Sequence, residues 1–172
     1  MISGRTFVSY LLTLATSAKE LEHRVHLNSD CREDLRMWKM FLDQWNCVSL
    51  FHETTITVAS YMKLYTMHLL GWDLVVSFEG VGSVINDPSD LPNEGDEKLS
   101  MAFRKLYPIV IAAILWGEIL VYKRIKFYCD YLGTVQIIRK GRSKVNYINK
   151  LMRRLAWCSV KYIFCIYAEQ LP

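Results

Sequence analysis

The chain has 172 residues, of which 52% are hydrophobic and 22% charged, and its formal net charge is +4. This length fits one domain, with room for a small extension. The hydrophobic content is too high for an intrinsically disordered chain.

The charge is distributed unevenly along the chain. Residues 1–50 are neutral, and residues 51–100 carry eight Asp/Glu against two Lys/Arg. Residues 101–172 carry thirteen Lys/Arg against three Asp/Glu, a net +10. A basic carboxy-terminal region indicates an anionic partner, nucleic acid before a membrane surface. The alternative is that the acidic and basic regions neutralise each other within the fold.

The five cysteines lie at positions 31, 47, 129, 158 and 165. They form no CxxC pair and their number is odd. This pattern predicts reduced, buried thiols in a cytoplasmic or nuclear protein.

Two helices are predicted before residue 50. The first begins at Ser3 or Gly4 and ends near Lys19. The second begins at Asp30, which forms a capping pair with Glu33. Its apolar residues recur at helical spacing: Leu35, Trp38, Phe41, Leu42 and Trp45. Residues 7–15 also resemble a weak secretory signal, so a secreted or membrane-associated interaction protein remains an alternative.

In residues 51–100 the spacing of apolar residues changes from that of helices to that of strands. Three consecutive antiparallel strands are predicted at 56–58, 69–78 and 81–85. Glu79 and Gly80 form a plausible hairpin turn between the last two. Residues 86–97, with two prolines, one glycine and five acids, are predicted to form a loop.

The carboxy-terminal part alternates between helices and strands. A long apolar helix begins near Arg104, with Pro108 close to its start, and a strand at 125–129 ends before Asp130. Helices at 132–140 and 145–157 follow, then a strand at 161–167. The apolar segment 106–122 is shorter than the ~20 residues of a membrane span, so a buried helix and no membrane association are predicted. This order predicts an α/β fold.

Three strands, a helix, a strand, helices and a final strand form the element order of ribonuclease H. Residues 106–117, 121–130 and 135–144 resemble the ribonuclease H-like region of DIRS-type retrotransposon polyproteins. Residues 4–7, 23–27, 34–38 and 41–46 resemble the segment that joins that family's reverse transcriptase to its ribonuclease H. The resemblance implies a ribonuclease H-like mixed five-stranded sheet with flanking helices, preceded by a small helical arm. Residues 1–50 would be the connection segment, and residues 51–172 the ribonuclease H-like domain, truncated at its carboxy-terminal end.

The resemblance also identifies the positions that carry the family's chemistry. Such enzymes hydrolyse RNA–DNA hybrids with two metal ions held by carboxylates. At the matching positions this chain has Val58 for the first acid, Lys105 for the second, Asp130 for the third, and Gln170 for a later His. One carboxylate beside an ammonium group is a poor site for two cations, so we expect no activity and no cofactor. Any remaining activity would need Mg²⁺, with Asp130 as a weak ligand.

Two other interpretations of these residues stay open. One is an active metal-dependent hybrid ribonuclease that recruits its missing ligands from a partner or from Glu118, Glu169 or Asp73. The other is that Asp130 is a strand-end acid that caps the following helix.

The residues predicted to bind nucleic acid are Arg139, Lys140, Arg142 and Lys144. They begin a basic run that continues with Lys150, Arg153 and Arg154. Such a run can contact the phosphates of an RNA–DNA hybrid or duplex without reading sequence. The alternative is a solvated face. The sequence therefore predicts a retroelement-derived, catalytically inactive domain with weak nucleic-acid binding, and it leaves the oligomeric state open.

Overall fold

The computed structural model describes residues 6–18, 20, 22, 24–44, 55–62, 64–68, 74–85 and 100–171. These residues include five α-helices and six strands. The helices are α1 (Ser9–Ser17), α2 (Ser29–Gln44), α3 (Met101–Trp116), α4 (Leu132–Lys140) and α5 (Asn146–Lys161). The strands are β1 (Ile56–Val58), β2 (Leu64–His68), β3 (Leu74–Phe78), β4 (Val81–Ile85), β5 (Arg124–Cys129) and β6 (Cys165–Gln170). The fold is thus mixed α and β.

The six strands form two separate sheets of three. One sheet is parallel in the order β1-β5-β6, and the other is antiparallel in the order β2-β3-β4. The predicted five-stranded sheet is therefore wrong for the described residues. The physical reason is local, since a 3₁₀ helix (Ala59–Met62) follows the three residues of β1 and separates that strand from β2. Within the described residues, β1 pairs with β5 and not with the hairpin strands.

The hairpin between β3 and β4 confirms the predicted turn. Phe78 pairs with Val81, which leaves Glu79 and Gly80 as a two-residue connection. Their φ angles are 51° and 85°, as a type I′ turn requires, and this turn matches the twist of the strands. The rest of this region was less well predicted. Strand β2 was not foreseen, and residues 69–73 lie outside the described residues.

Helix α3 forms the centre of the larger core. It begins three residues earlier than predicted, because the Ser100 side chain accepts a hydrogen bond from the Phe103 N–H. Pro108 is its eighth residue, deeper inside the helix than predicted, so that turn lacks one backbone hydrogen bond. Leu106 and Val110 are fully buried, and the helix packs against α5 and against β2 and β3. None of the described helices is long and apolar enough to cross a membrane.

Of the last three elements, α4 has the predicted boundaries, and α5 and β6 differ from the prediction. Helix α4 spans the predicted residues and ends at Gly141, whose φ of 70° is left-handed and whose N–H donates to the carbonyls of Ile137 and Ile138. Helix α5 continues four residues beyond its predicted end at Trp157, which moves β6 to a later position than the predicted 161–167.

The helical arm, α1 and α2, packs against helix α5. Asp34 is completely buried, and its carboxylate accepts hydrogen bonds from the N–H groups of Tyr10 and Leu11 at 2.8 and 3.3 Å. The other carboxylate oxygen lies 2.5 Å from Nη2 of Arg153 on α5. Phe7, Met37 and Ala156 form a small shared core beside this pair, with Trp38, Trp157 and Val160 packed around it. The arm and the carboxy-terminal region are therefore joined by a buried ion pair and by apolar contacts.

Candidate nucleic-acid interface and carboxylate position

The carboxyl ends of β5 and β6 meet at one edge of the parallel sheet. Cys129 pairs with Gln170, and the N–H of Leu171 donates to the Cys129 carbonyl at 3.1 Å. Asp130 follows β5 directly. Ligands of open α/β sheets bind at this edge, so it is the first place to test for chemistry.

Lys105 forms an ion pair with Asp130 at this edge. The distance from Lys105 Nζ to Asp130 Oδ2 is 2.8 Å, and the two side chains are 29% and 57% exposed. The Thr134 hydroxyl donates to the Ala102 carbonyl at 3.3 Å and so fixes the start of α4 against the start of α3. Two of the positions that the resemblance singled out therefore lie together.

The other two positions are placed differently. Gln170 is exposed and is paired with Cys129, the residue before Asp130. Val58 is paired with Lys126, four residues before Asp130 on β5. At ~3.3 Å per residue this is about 13 Å along the strand, so Val58 does not lie beside the carboxylate.

The residues around Asp130 do not fit a divalent cation. Mg²⁺ needs oxygen ligands, and the ammonium group of Lys105 bonds to the carboxylate that would supply them. Across the parts of the chain that the structure describes, no group of three or more His, Cys, Asp or Glu side chains is placed to hold a metal ion.

The two described acids among the proposed replacement ligands, Glu118 and Glu169, do not complete the site. Glu169 forms an ion pair with Lys126 at 3.0 Å. Glu118 lies beyond the far end of α3, thirteen residues after Lys105, which is about 20 Å along a helix. Asp73 lies outside the described residues.

The ion pair also sets the protonation of Asp130. The pKa of its carboxyl is lowered, first because Lys105 donates a hydrogen bond to it, although partial burial opposes this effect. At pH values above the pKa that Asp130 has in the unfolded chain, its lowered pKa in the folded chain stabilises the fold. This stabilisation is lost as the pH falls through the folded-state pKa of Asp130. Because the side chain is 57% exposed, we expect less than about 1 kcal/mol. Burial raises the pKa of the neighbouring Cys129 thiol, which is therefore neutral near pH 7.

Lys105→Met is expected to raise the pKa of Asp130, because it removes the hydrogen bond and the positive charge together. The check is the carboxyl ¹³C shift of Asp130 followed through an acid titration. Lys123→Met removes a lysine from the chain but not this contact, and serves as the control. An Asp130 titration curve unchanged by Lys105→Met would contradict the pair.

Residues 139–144 form what we call the basic loop. Arg139 and Lys140 end α4, Arg142 and Lys144 follow Gly141, and all four basic side chains are exposed. In the described part of the chain, Lys140, Arg142 and Lys144 form no ion pair with an acid. Their positive charge is therefore available to an anionic ligand.

Hydrogen bonds hold the basic loop in one shape. The buried Asn149 side chain accepts from the Ser143 N–H at 2.7 Å and donates to the Ser143 carbonyl at 2.6 Å. The Thr6 hydroxyl of the arm donates to the Gly141 carbonyl at 2.7 Å. Tyr10 completes the support, since its hydroxyl contacts both Asn146 and Asn149. A loop held on two sides presents its charges with little entropy left to lose on binding.

Two members of the predicted basic run have structural roles. Arg139 donates from Nε to the Ala168 carbonyl on the edge strand β6 at 3.1 Å. Arg153 is only 5% exposed and is paired with Asp34, so its assignment to a phosphate-binding surface is wrong. The arm covers it, and no pattern near residue 153 indicated a partner 119 positions away.

No protein-family model, curated protein or solved structure matches this chain. The chemistry of the site therefore follows from the contacts above. The sheet edge has one carboxylate, already paired with an ammonium group, and the basic loop offers fixed positive charge.

Proposed function

We propose that the chain is a retroelement-derived, ribonuclease H-like domain that has lost hydrolytic activity. It binds the phosphate backbone of an RNA–DNA hybrid or duplex weakly, through the basic loop. The observation that carries the proposal is the ion pair between Lys105 and Asp130, because it puts an ammonium group where a hydrolytic site would need a metal ligand.

The ribonuclease H-like assignment belongs to the proposal. Three features support it: the parallel ladder β1-β5-β6, the long helix α3 before β5, and the acid that follows β5. The separate hairpin sheet departs from the expected arrangement. The remaining support is the sequence resemblance to the DIRS-type region, which covers residues 106–117, 121–130 and 135–144.

The cytoplasm or the nucleus is the compartment we propose. The described cysteines, Cys31, Cys129, Cys158 and Cys165, are all unpaired thiols. Burial raises the pKa of each of them, so they are protonated and poorly reactive. Such thiols suit a reducing compartment.

Reversing three charges of the basic loop tests the binding. Lys140→Glu, Arg142→Glu and Lys144→Glu together are expected to weaken binding to a hybrid duplex at least tenfold at low salt. Arg139 is left intact because its bond to Ala168 is structural. If each residue contacts one phosphate, the slope of log K against log salt should fall by about 2.7. Fluorescence anisotropy across a salt series measures both quantities.

The control reverses two basic residues at a different surface, Arg32 and Lys39, to Glu. Both residues are exposed on α2, away from the basic loop. A loop variant that binds as tightly as this control would contradict the proposed interface. Equal loss in both variants would also contradict it, because net charge alone would then explain the binding.

A further inference from the structure

Helix α5 carries a stripe of cations interrupted by one tryptophan. Lys150, Arg154, Trp157 and Lys161 follow one another at offsets of four, seven and eleven residues, which places them on one face of the helix. The helix contains no Asp or Glu. The three basic residues are exposed and Trp157 is half-buried.

This stripe forms one wall of the α2–α5 groove. The groove is a cavity of about 540 Å³ lined by Lys150, Arg154 and Trp157 on α5 and by α2 on the other side. A second cavity of about 240 Å³ shares Arg154 and Trp157 and adds Lys161. Lys150 lines the first cavity and Lys161 the second, so each end of the stripe borders a cavity.

Four basic and two acidic side chains line the larger cavity. On the α2 wall, Glu33 is paired with Arg36 at 3.2 Å. Asp30 is the other acid among the groove's lining residues.

Trp157 has a fixed position in this wall. Its ring packs against the small core that joins the arm to α5, and it also lines both cavities. An aromatic ring held between cations is the arrangement by which proteins bind unpaired bases, since bases stack on the ring and phosphates contact the charges.

We propose that the α2–α5 groove binds a single-stranded segment of nucleic acid. The phosphates contact Lys150, Arg154 and Lys161, and one base stacks on Trp157. The stripe is about 16 Å long, the length of on the order of five stacked nucleotides. This inference shares its ligand class with the proposed function, but it assigns a different surface and an unpaired strand. An acidic peptide would match the charge and leave the ring without a stacking partner.

The test compares binding of an unpaired oligo-dT of about ten nucleotides with binding of a blunt RNA–DNA hybrid, by fluorescence anisotropy. Trp157→Leu is expected to weaken oligo-dT binding about tenfold, because base stacking on an aromatic ring contributes that much. Trp157→Phe keeps an aromatic ring and should stay within about threefold of the wild type. Both variants should bind the blunt hybrid like the wild type. Thermal unfolding of each variant confirms that it is folded. If Trp157→Leu is not, the double variant Lys150→Glu, Lys161→Glu changes two exposed residues of the stripe instead. It should weaken oligo-dT binding at least tenfold at low salt, and unchanged oligo-dT binding overturns the groove assignment.

The outcomes separate this inference from the proposed function. The groove assignment is overturned if Trp157→Leu leaves the affinity for oligo-dT unchanged, or if Trp157→Phe lowers that affinity as much as Trp157→Leu does. It is also overturned by a poly-glutamate peptide whose binding depends on Trp157 in the same way. The proposed function is judged separately, by binding of the blunt hybrid. It is supported if reversing the basic loop weakens hybrid binding and changing Trp157 does not, whatever the oligo-dT result.

Discussion

Replacing Arg153 with methionine is expected to lower the free energy of unfolding by about 3–5 kcal/mol, because it leaves a buried charge without a partner. Asp34 is completely buried, and Arg153 is its cationic partner at 2.5 Å. Methionine retains much of the apolar stem of arginine, so the loss comes mainly from the uncompensated carboxylate. Chemical denaturation followed by circular dichroism measures the change.

Arg154→Met is the matched control for this variant. Arg154 is the next residue along α5 and is exposed, so its replacement should cost no more than about 1 kcal/mol, the contribution of an exposed charged contact. Adding Asp34→Asn to Arg153→Met should cost less than the sum of the two single changes, because the two residues interact directly. An Arg153→Met protein as stable as the Arg154→Met protein would refute the role of the pair.

Arg153→Met also tests whether the arm supports the proposed nucleic-acid binding. Thr6 and Tyr10 on the arm contact Gly141, Asn146 and Asn149 around the basic loop. If the arm detaches, the loop loses one of its two supports, so hybrid binding should weaken although no loop charge has changed.

Replacing Lys105 with glutamate is expected to create a weak site for divalent cations. Two carboxylates would then face each other where the ammonium group now lies 2.8 Å from Asp130. Without metal they repel and destabilise the fold, and a bound cation reverses this effect. We expect a dissociation constant on the order of millimolar. At a Mn²⁺ or Mg²⁺ concentration about ten times this constant, binding should raise the free energy of unfolding by about 1.4 kcal/mol.

Two variants control for the new charge. Lys105→Met removes the ammonium group without adding a ligand, and Lys39→Glu adds an acid on an exposed face of α2. The stability of both, and of the wild type, should not depend on divalent cations. Metal-dependent unfolding of the wild type, or none in Lys105→Glu, would contradict the proposed replacement of a ligand by an amine.

Local signals in the sequence correctly predicted two local features, the end of α4 and the turn between β3 and β4. Gly141 ends α4 because a left-handed residue was needed there, and the Glu79-Gly80 turn follows from its length and residue types. The predicted boundary between α5 and the last strand was less accurate, because the spacing of apolar residues there fits both a helix and a strand. Helix α5 continues to Lys161 because Cys158 extends its buried face, and the predicted last strand began inside that helix.

Contacts between distant residues could not be read from the sequence. The parallel pairing of Val58 with Lys126 depends on a register that no local pattern specifies, and it separates Val58 from Asp130. Arg153 resembled its exposed neighbour Arg154, and its burial depends on Asp34 far away in the chain. The resemblance did predict that Lys105 and Asp130 lie close together, because both occupy positions of the family's carboxylate cluster. The structure pairs them.

The proposed loss of hydrolytic activity is tested most directly by incubating the protein with a labelled RNA–DNA hybrid in Mg²⁺ and, separately, in Mn²⁺. The wild type and Asp130→Asn are both expected to leave the RNA strand intact, at the level of a protein-free control. Metal-dependent cleavage by the wild type that disappears in Asp130→Asn would contradict this expectation, since it would show that the carboxylate holds a catalytic cation despite Lys105.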